Sequence, residues 1–361
     1  MSLDSLAWLA VIPALGLLIL VHELGHFLVA LKMGIKVEEF GIGYPPRMLT
    51  LFERNGVKYT LNWLPLGGFV RMTGEEGNFA AEGSLAAAPP WKRIAVISAG
   101  VIMNMLTAMV LFAIIFAVWG KAEPVENQVV ISAVQDAAET AGIEPGDRIV
   151  SMNDQPINSV EDVRPIVQNS IDKEITIVVE REGVLQTFKV KPQPLSTEPG
   201  GPPRLGIHYG PGVKVEHVNP LVAIWEGILE SFRVLGRMVV GFGALLGGLF
   251  GLTQVPEGGI AGPVGIARIT GEAARSGLRV YLSLTALLSV NLALINILPI
   301  PALDGSRIVF ALIEWVRKGR RIAPEKEAFI HAIGMLVLLG LILLVTISDI
   351  GNAISGQPAL P

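Results

Sequence analysis

Four long apolar runs predict four membrane-spanning helices. Polar segments separate the runs, which cover residues 6–31, 94–119, 281–301 and 328–347. Each is close to the length of about 20 residues that a helix needs to cross the hydrocarbon core of a bilayer. The predicted fold class is therefore a polytopic α-helical membrane protein with four transmembrane helices.

Between the first two runs, loosely alternating apolar and polar residues predict a membrane-associated β-hairpin. The alternation covers residues 48–64 around Asn55-Gly56, a dipeptide typical of tight hairpin turns. Residues 65–68, which include a Pro and two Gly, predict an irregular turn after it. Two interpretations stay open: a plain cytosolic hairpin, or a strand edge that pairs with an extended peptide.

Residues 121–210 differ from the apolar runs, because they are charged and punctuated by Pro and Gly. Short β-prone runs predict strands at VVISAV, DRIVSMN, EITIVVERE and LQTFKVKP, and VEDVRPIVQN predicts a helix. The sequence thus predicts an α+β domain that is inserted between two membrane portions, residues 1–120 and residues 211–361.

A further apolar stretch, residues 221–252, is ambiguous. Its first half carries Glu226, Glu230, Arg233 and Arg237 among apolar residues. Its second half is Gly-rich and, at about fifteen residues, short for a span. We predict an amphipathic helix at the membrane surface, with a helix that dips into the bilayer as the open alternative.

Composition agrees with this pattern. Of the 361 residues, 51% are hydrophobic and 17% are charged, and the mean hydropathy is +0.55, far more apolar than an ordinary soluble domain. The net charge of −4 gives no reason to expect nucleic acid as a partner. Because the chain has no cysteine, any metal ion must be held by nitrogen and oxygen atoms, which suits zinc.

The first apolar run contains the most informative motif, His22-Glu23-x-x-His26. Residues four apart lie on one face of a helix, so the two imidazoles can bind one metal ion. Glu23 lies beside them, where its carboxylate can take a proton from metal-bound water. A chance grouping of core residues is the alternative, but ionisable groups in a bilayer-length apolar helix are costly and functional by default. We also expect this run to be retained, because it lacks the basic leading region of a signal peptide.

A catalytic zinc site needs a third protein ligand and an open position for water. Asp304 is the best candidate, because it follows an apolar run broken by Pro299 and Pro301, where backbone can line a cavity. The alternative is that Asp304 caps the helix predicted to follow it. Other polar residues are predicted to be structural, or solvated at helix ends: His208, His217, His331, Glu314 and Asp349. Asn104 in the second run is typical of a helix–helix contact.

Positive charges predict the orientation in the membrane. Lys and Arg are concentrated between runs one and two and between runs three and four, so the positive-inside bias places both segments in the cytosol. The inserted domain and both termini are then outside. His22 and Asp304 lie toward the cytosolic ends of their helices, so they can meet.

Three of these segments together resemble the site-2 protease family of intramembrane zinc metalloproteases. They are HELGH in the first run, AGVIMN (residues 99–104) in the second and NLALINILPIPALDG (residues 291–305) in the third. The segment AETAGIEPGDRIVSMNDQPI (residues 138–157) resembles the signature of a PDZ domain. With such a domain, the chain is most similar to the bacterial regulator-of-sigma-factor branch of the family. Two positions depart from the family pattern: Val101, where the family often has Pro, and Ser306, where it has a second Gly.

The resemblance implies His22, His26 and Asp304 as zinc ligands and Glu23 as the catalytic base. It implies substrate contacts of Asn291 and Asn296, to which we add Asn104 as a candidate. The expected substrates are transmembrane segments of single-span proteins, such as anti-sigma-factor-like proteins already cut outside, and remnant signal peptides. The expected location is a bacterial cell membrane, with the PDZ-like domain outside, where it excludes substrates that keep a bulky outer domain.

Two rival functions come from other classes. A membrane-anchored PDZ scaffold with an inactive metal motif predicts no zinc or no turnover. A zinc transporter would need ligands along a path through the bilayer, whereas the sequence contains one cluster.

Overall fold

The computed structural model describes residues 3–74, 82–170, 173–194, 203–249, 251 and 261–354. The chain divides into two compact units, Met1–Trp119 with Val218–Pro361, and Gly120–His217. A short 3-10 helix, Leu3–Ala10, precedes the first α-helix. The elements then follow in the order α1 (Val11–Lys32), β1 (Val37–Arg54), β2 (Val57–Met72), α2 (Pro90–Trp119), β3 (Lys121–Val134), α3 (Asp136–Thr140), β4 (Arg148–Met152), β5 (Gln155–Pro156), α4 (Val160–Gln168), β6 (Ile175–Arg181), β7 (Val184–Val190), β8 (Gln193–Pro194), β9 (Pro203–Arg204), β10 (Ile207–Glu216), α5 (Pro220–Leu249), α6 (Pro263–Arg275), α7 (Leu278–Ile297), α8 (Asp304–Val316) and α9 (Pro324–Ile354).

Four helical segments in the described part of the chain are long and apolar enough to cross a membrane. They are Leu6–Lys32, Pro90–Trp119, Leu278–Ile297 and Glu325–Gly351. Each coincides with one of the four apolar runs of the sequence. The number and positions of the candidate spans are therefore as predicted.

The hairpin prediction is confirmed, and the hairpin is longer than predicted. Strands β1 and β2 pair antiparallel from Arg54–Val57 at the turn back to Val37–Met72. The hairpin also folds back on itself, because residues 39–42 pair with residues 58–61 in the parallel sense. At the turn, Asn55 and Gly56 have φ of 52° and 77°, as a tight hairpin turn of the primed type requires.

The chain bends at residues 65–68, as predicted, although these residues are counted within β2. Residues 58–61 run parallel to residues 39–42, whereas residues 68–72 run antiparallel to residues 37–42, so the chain reverses direction between the two stretches. A Cβ on Gly67 would lie 2.4 Å from Cγ2 of Ile19, and one on Gly68 would lie 2.8 Å from Cδ1 of Leu20. The two glycines therefore let the strand pack closely against α1. Both the bend, where Gly67 has φ of 73°, and the proximity of α1 explain these glycines.

Helix α5 packs along α2, a contact that the sequence did not predict. A Cβ on Gly227 would be 2.6 Å from the backbone N of Ala113, so the two helices are in close contact there. Further along α5, Val234 is buried in a cluster with Phe112 of α2 and Val290 of α7. A helix at the surface would meet α2 only near its end, so this packing favours the alternative that α5 enters the membrane portion.

Two acidic residues that we predicted to be solvated are buried and paired. The carboxylate of Glu314 accepts hydrogen bonds from Arg93 of α2 and from Nε of Arg321, the latter at 2.8 Å. The carboxylate of Asp349 accepts a hydrogen bond from the backbone N of Gly265 at 2.7 Å. Buried carboxylates need such partners, so both residues tie helices together.

The second unit is the predicted α+β domain, with a sheet in the order β10-β3-β4-β6-β7. The predicted strands and the helix α4 are all present, and β10 extends the unit beyond residue 210. Its core is apolar, and Asp147 is buried beneath the loop before β4. Burial would raise the pKa of Asp147, but two hydrogen bonds from Arg181, at 2.7 and 2.8 Å, and its positive charge hold that pKa below its ordinary value.

Candidate metal centre

One face of α1 carries both histidines of the motif. Five residues at a spacing of four form its buried stripe: Ala14, Leu18, His22, His26 and Ala30. Helical side chains at this spacing stack above one another. The two imidazoles therefore point toward the interior of the unit, with His22 8% and His26 7% exposed.

Asp304 meets this pair although it lies 282 residues after His22. Its Oδ2 is 3.0 Å from Nε2 of His22 and 3.3 Å from Nε2 of His26, and the two Nε2 atoms are 3.1 Å apart. Asp304 begins α8, and Leu303 holds the N-cap position without a side-chain cap. The carboxylate thus faces the histidines and is not the N-cap of its own helix.

These three atoms have the spacing that a tetrahedral zinc ion requires. With bonds of 2.0–2.1 Å, two ligand atoms on a tetrahedral zinc ion are about 3.3 Å apart. The observed separations of 3.0, 3.1 and 3.3 Å are close to that value. Two neutral imidazoles and a carboxylate are also a donor set typical of catalytic zinc. The residues therefore fit the metal.

Groups on α2 orient the two imidazoles. Nδ1 of His26 lies 2.8 Å from the carbonyl oxygen of Val96. It donates its proton there, which leaves Nε2 as a lone-pair donor for a metal. Nδ1 of His22 lies 3.3 Å from the side-chain amide of Asn104.

Asn104 is fully buried, and its Oδ1 has no hydrogen-bond partner among the described residues. A half-turn of the amide would bring Oδ1 to Nδ1–H of His22, so that each imidazole donates to an oxygen on α2. Asn104 therefore contacts a motif histidine, which is more specific than the helix–helix contact we predicted.

Gly100 is a site residue that sequence reasoning missed. A Cβ on this residue would lie 2.6 Å from Cε1 of His22 and 2.6 Å from Nε2 of His26. Only glycine lets α2 approach the ring pair this closely. The spacing contained a signal, because Val96, Gly100 and Asn104 are four apart and so share one face of α2.

A cavity of about 240 Å³ opens beside these groups. Its lining includes His22, Glu23, Asn104 and Asp304, together with Asn296 of α7. Asn291 does not line the cavity in the described part of the chain. Glu23 offers a carboxylate oxygen within 4.8 Å of the ligand nitrogens of His22 and His26. The cavity thus has room for a peptide group next to an acid–base residue.

The remaining histidines lie apart from this cluster. His208 contacts Gln135 in the second unit, and His217 is exposed. His331 of α9 is different, because its Nδ1 accepts a hydrogen bond from the backbone N of Ala302, two residues before Asp304.

Comparison with known proteins identifies the family. The model of peptidase family M50 matches residues 10–341. The chain belongs to peptidase family M50. One relative is a protein named "putative zinc metalloprotease" from Agrobacterium fabrum, which is 33% identical over 370 residues that cover 95% of each chain. Another protein so named, from Clostridium perfringens, is 35% identical over 337 residues that cover 93% of this chain and 96% of that one. Zinc metalloprotease RasP of Bacillus licheniformis is 31% identical over 425 residues, covering 95% of this chain and 98% of that one.

Membership of M50, the site-2 protease family, confirms the resemblance seen in the sequence. The M50 chain is a zinc-dependent metalloendopeptidase and a membrane protein.

Proposed function

We propose that this M50 enzyme cleaves transmembrane segments at a single zinc site held by His22, His26 and Asp304. The proposal rests chiefly on one observation: three ligand atoms from two distant helices lie within 3.3 Å of one another. Bringing a carboxylate to two buried imidazoles costs desolvation energy. A shared cation that neutralises the carboxylate and coordinates all three groups explains this arrangement.

Glu23 serves as the general base and acid. When bound, zinc supplies a positive charge that lowers the pKa of water and polarises a peptide carbonyl. Glu23 lines the same cavity, so its carboxylate can accept the proton of the attacking water and deliver it to the leaving nitrogen. His22 and His26 stay neutral, oriented from α2 by Asn104 and Val96.

The substrate segment must be locally unwound, because helical amides are shielded by their own hydrogen bonds. Strand β2 is suited to hold the opened chain, since Gly68 lies beside Leu20 and Glu23 of α1 and extended peptides add to sheet edges. Asn296 lines the cavity and can hydrogen-bond the substrate main chain. The same role for Asn291 stays a prediction.

Substrate class and orientation follow from the charge pattern and the family. We propose that the cytosolic ends of the spans carry the site, with the termini and the PDZ-like unit outside. Single-span proteins that have lost their outer domain, such as anti-sigma-factor-like proteins, and remnant signal peptides are the proposed substrates. The partner environment is the lipid bilayer of a bacterial cell.

Glu23→Gln tests this function. The purified variant in lipid should bind zinc as the wild type does, yet leave a single-span test substrate uncut. Glu53→Gln is the matched control, because it makes the same exchange at an exposed position of β1 and should cleave normally. Cleavage by Glu23→Gln at the wild-type rate would contradict the assignment of the base, and a wild type without zinc or turnover would favour the scaffold alternative. Trapping substrates on the Glu23→Gln variant, followed by mass spectrometry, would identify them.

A further inference from the structure

The segment between α7 and α8 delivers Asp304 to the histidines. Within this segment Ala302 has φ of 78°, a left-handed conformation that is unfavourable for a residue with a Cβ. Such a conformation persists only where the surroundings hold it. The position of Asp304 therefore depends on what holds Ala302.

His331 of α9 makes the holding contact. The backbone N of Ala302 donates a hydrogen bond to Nδ1 of His331 at 3.0 Å. Because an N–H is the donor, Nδ1 must be the unprotonated nitrogen of the ring. The bond thus fixes the amide of the left-handed residue from outside its own segment.

Two further contacts bring α9 close to the same segment. Gly334 lies one turn after His331, and a Cβ there would be 2.1 Å from Cβ of Pro301. The ring of His331 also lies 5.6 Å from that of Phe310 in α8. Helix α9 therefore touches the chain on both sides of Asp304.

Much of α9 away from this point makes little contact with the described chain. Leu336 and Leu344 are 71% and 68% exposed, although Asp349 near the end of α9 is buried against α6. The hold of α9 on the segment before Asp304 thus depends on a few residues, of which His331 provides the hydrogen bond. A histidine within a membrane span is also costly unless it serves a function.

We propose that His331 is a positioning residue for the zinc ligand Asp304. It holds Ala302 in the left-handed conformation, which keeps the carboxylate of Asp304 3.0 and 3.3 Å from the two imidazole nitrogens. Its loss should weaken zinc binding without removing a ligand. This inference rests on the proposed role of Asp304 and adds a residue from the fourth span to the site.

Zinc affinity, measured by chelator competition on the full-length protein, tests the proposal. Replacement of groups that orient metal ligands weakens affinity by about 10–100-fold, and we expect His331→Leu to do so. We expect His331→Asn to restore most of the affinity, because its Oδ1 can occupy the place of Nδ1 and accept the same bond. Leu336→Val, at an exposed position of α9, is the control and should bind zinc normally.

Hydrogen exchange of the zinc-free protein gives a second readout. Residues 298–304 should exchange faster in His331→Leu than in the wild type and the Asn variant. Zinc affinity of His331→Leu within twofold of the wild type would overturn the proposal, and so would an Asn variant as weak as the Leu variant.

Gly334→Ala tests the contact between α9 and the segment before Asp304 without changing His331. Its Cβ would displace Pro301 and should also weaken zinc binding, so unchanged affinity would count against the proposal. Asp304→Ala distinguishes failure of the proposed zinc ligand set from failure of the positioning role of His331. If it keeps the zinc, the ligand set itself fails; if it loses the zinc while His331→Leu does not, only the positioning role fails.

Discussion

Gly100 lies in a tightly constrained position against the histidine pair. Its Cα faces both rings, and an added Cβ would be 2.6 Å from atoms of each. The distance between α2 and α1 at this point is therefore set by the absence of a side chain. The arrangement of the ligands depends on this residue as much as on the ligands themselves.

Gly100→Ala should weaken zinc binding by at least about tenfold, because the added methyl displaces one or both rings. Helix propensity alone would favour Ala by about 1 kcal/mol, so a loss must come from the contact. Gly236→Ala in α5 is the matched control, since its Cβ would meet no heavy atom of the described chain within 4 Å. Wild-type zinc affinity in Gly100→Ala, measured by chelator competition, would be inconsistent with the close approach.

Substitutions of Asn104 distinguish two roles of this residue: orienting His22 and contacting the substrate. Asn104→Leu should lower zinc affinity about 10–100-fold through a misoriented His22. Asn104→Asp should preserve it, because a carboxylate can accept the Nδ1 proton of His22. If Asn104 instead served only to bind substrate, Asn104→Leu would raise KM and leave zinc affinity unchanged.

The sequence alone identified those site residues whose role follows from their spacing within one helix. His22 and His26 were readable because ligand spacing on one helix is fixed at four residues. Gly100 was not, because its role depends on a contact with another helix. The sequence predicts only a structural role for His331, since nothing in it indicates that this residue meets the backbone of Ala302.

Among the elements, the hairpin of β1 and β2 adds a strand beside the helix that carries the two histidines. Its second strand lies against α1 at Gly67 and Gly68, next to the motif helix. A strand edge held there is available to an extended substrate. The contact between strand and helix is therefore a testable part of the mechanism.

Gly67→Ala should separate β2 from α1 and raise KM for a transmembrane substrate. Gly67 has φ of 73°, and its Cβ would lie 2.4 Å from Ile19, so the substitution adds both backbone strain and a clash. Gly56→Ala is the control, because Gly56 has φ of 77° but its Cβ would meet no described heavy atom within 4 Å. It should cost only the strain, about 1–2 kcal/mol. Equal effects of the two variants on KM would argue against a role for the β2–α1 contact.

The positions of the helices and strands were largely predictable from the sequence, but the contacts between them were not. Apolar length and the Asn55-Gly56 turn identified the spans and the hairpin, because both signals are local. The close contact of Gly67 and Gly68 with α1 and that of α5 with α2 were not predicted. In each case the packing partner is far away in sequence.

The molecule as a whole joins a membrane-spanning unit that carries the chemistry to a separate unit, Gly120–His217. The second unit has its own apolar core, so it is built as an independent domain. A protease that works within the bilayer must avoid cutting intact membrane proteins. We propose that this unit acts as a size filter for substrates.

Replacing residues 121–216 by a flexible linker should therefore let the enzyme cut single-span substrates that still carry a folded outer domain. Substrates already trimmed should be cut at the same rate by both forms, which controls for damage to the site. Quantitative cleavage of paired long and short substrates in lipid vesicles measures this. If the long substrate remained uncut, the unit would not be the filter.

The central claim is that His22, His26 and Asp304 hold one zinc ion. Zinc content together with X-ray absorption spectroscopy of the purified protein tests it most directly. We expect one zinc ion per chain with nitrogen and oxygen neighbours in the wild type. Asp304→Ala and His22→Ala should each lower the affinity by at least about 100-fold, and His217→Ala, at an exposed histidine of the second unit, should not change it. An Asp304→Ala variant with the zinc affinity and spectrum of the wild type would contradict the account.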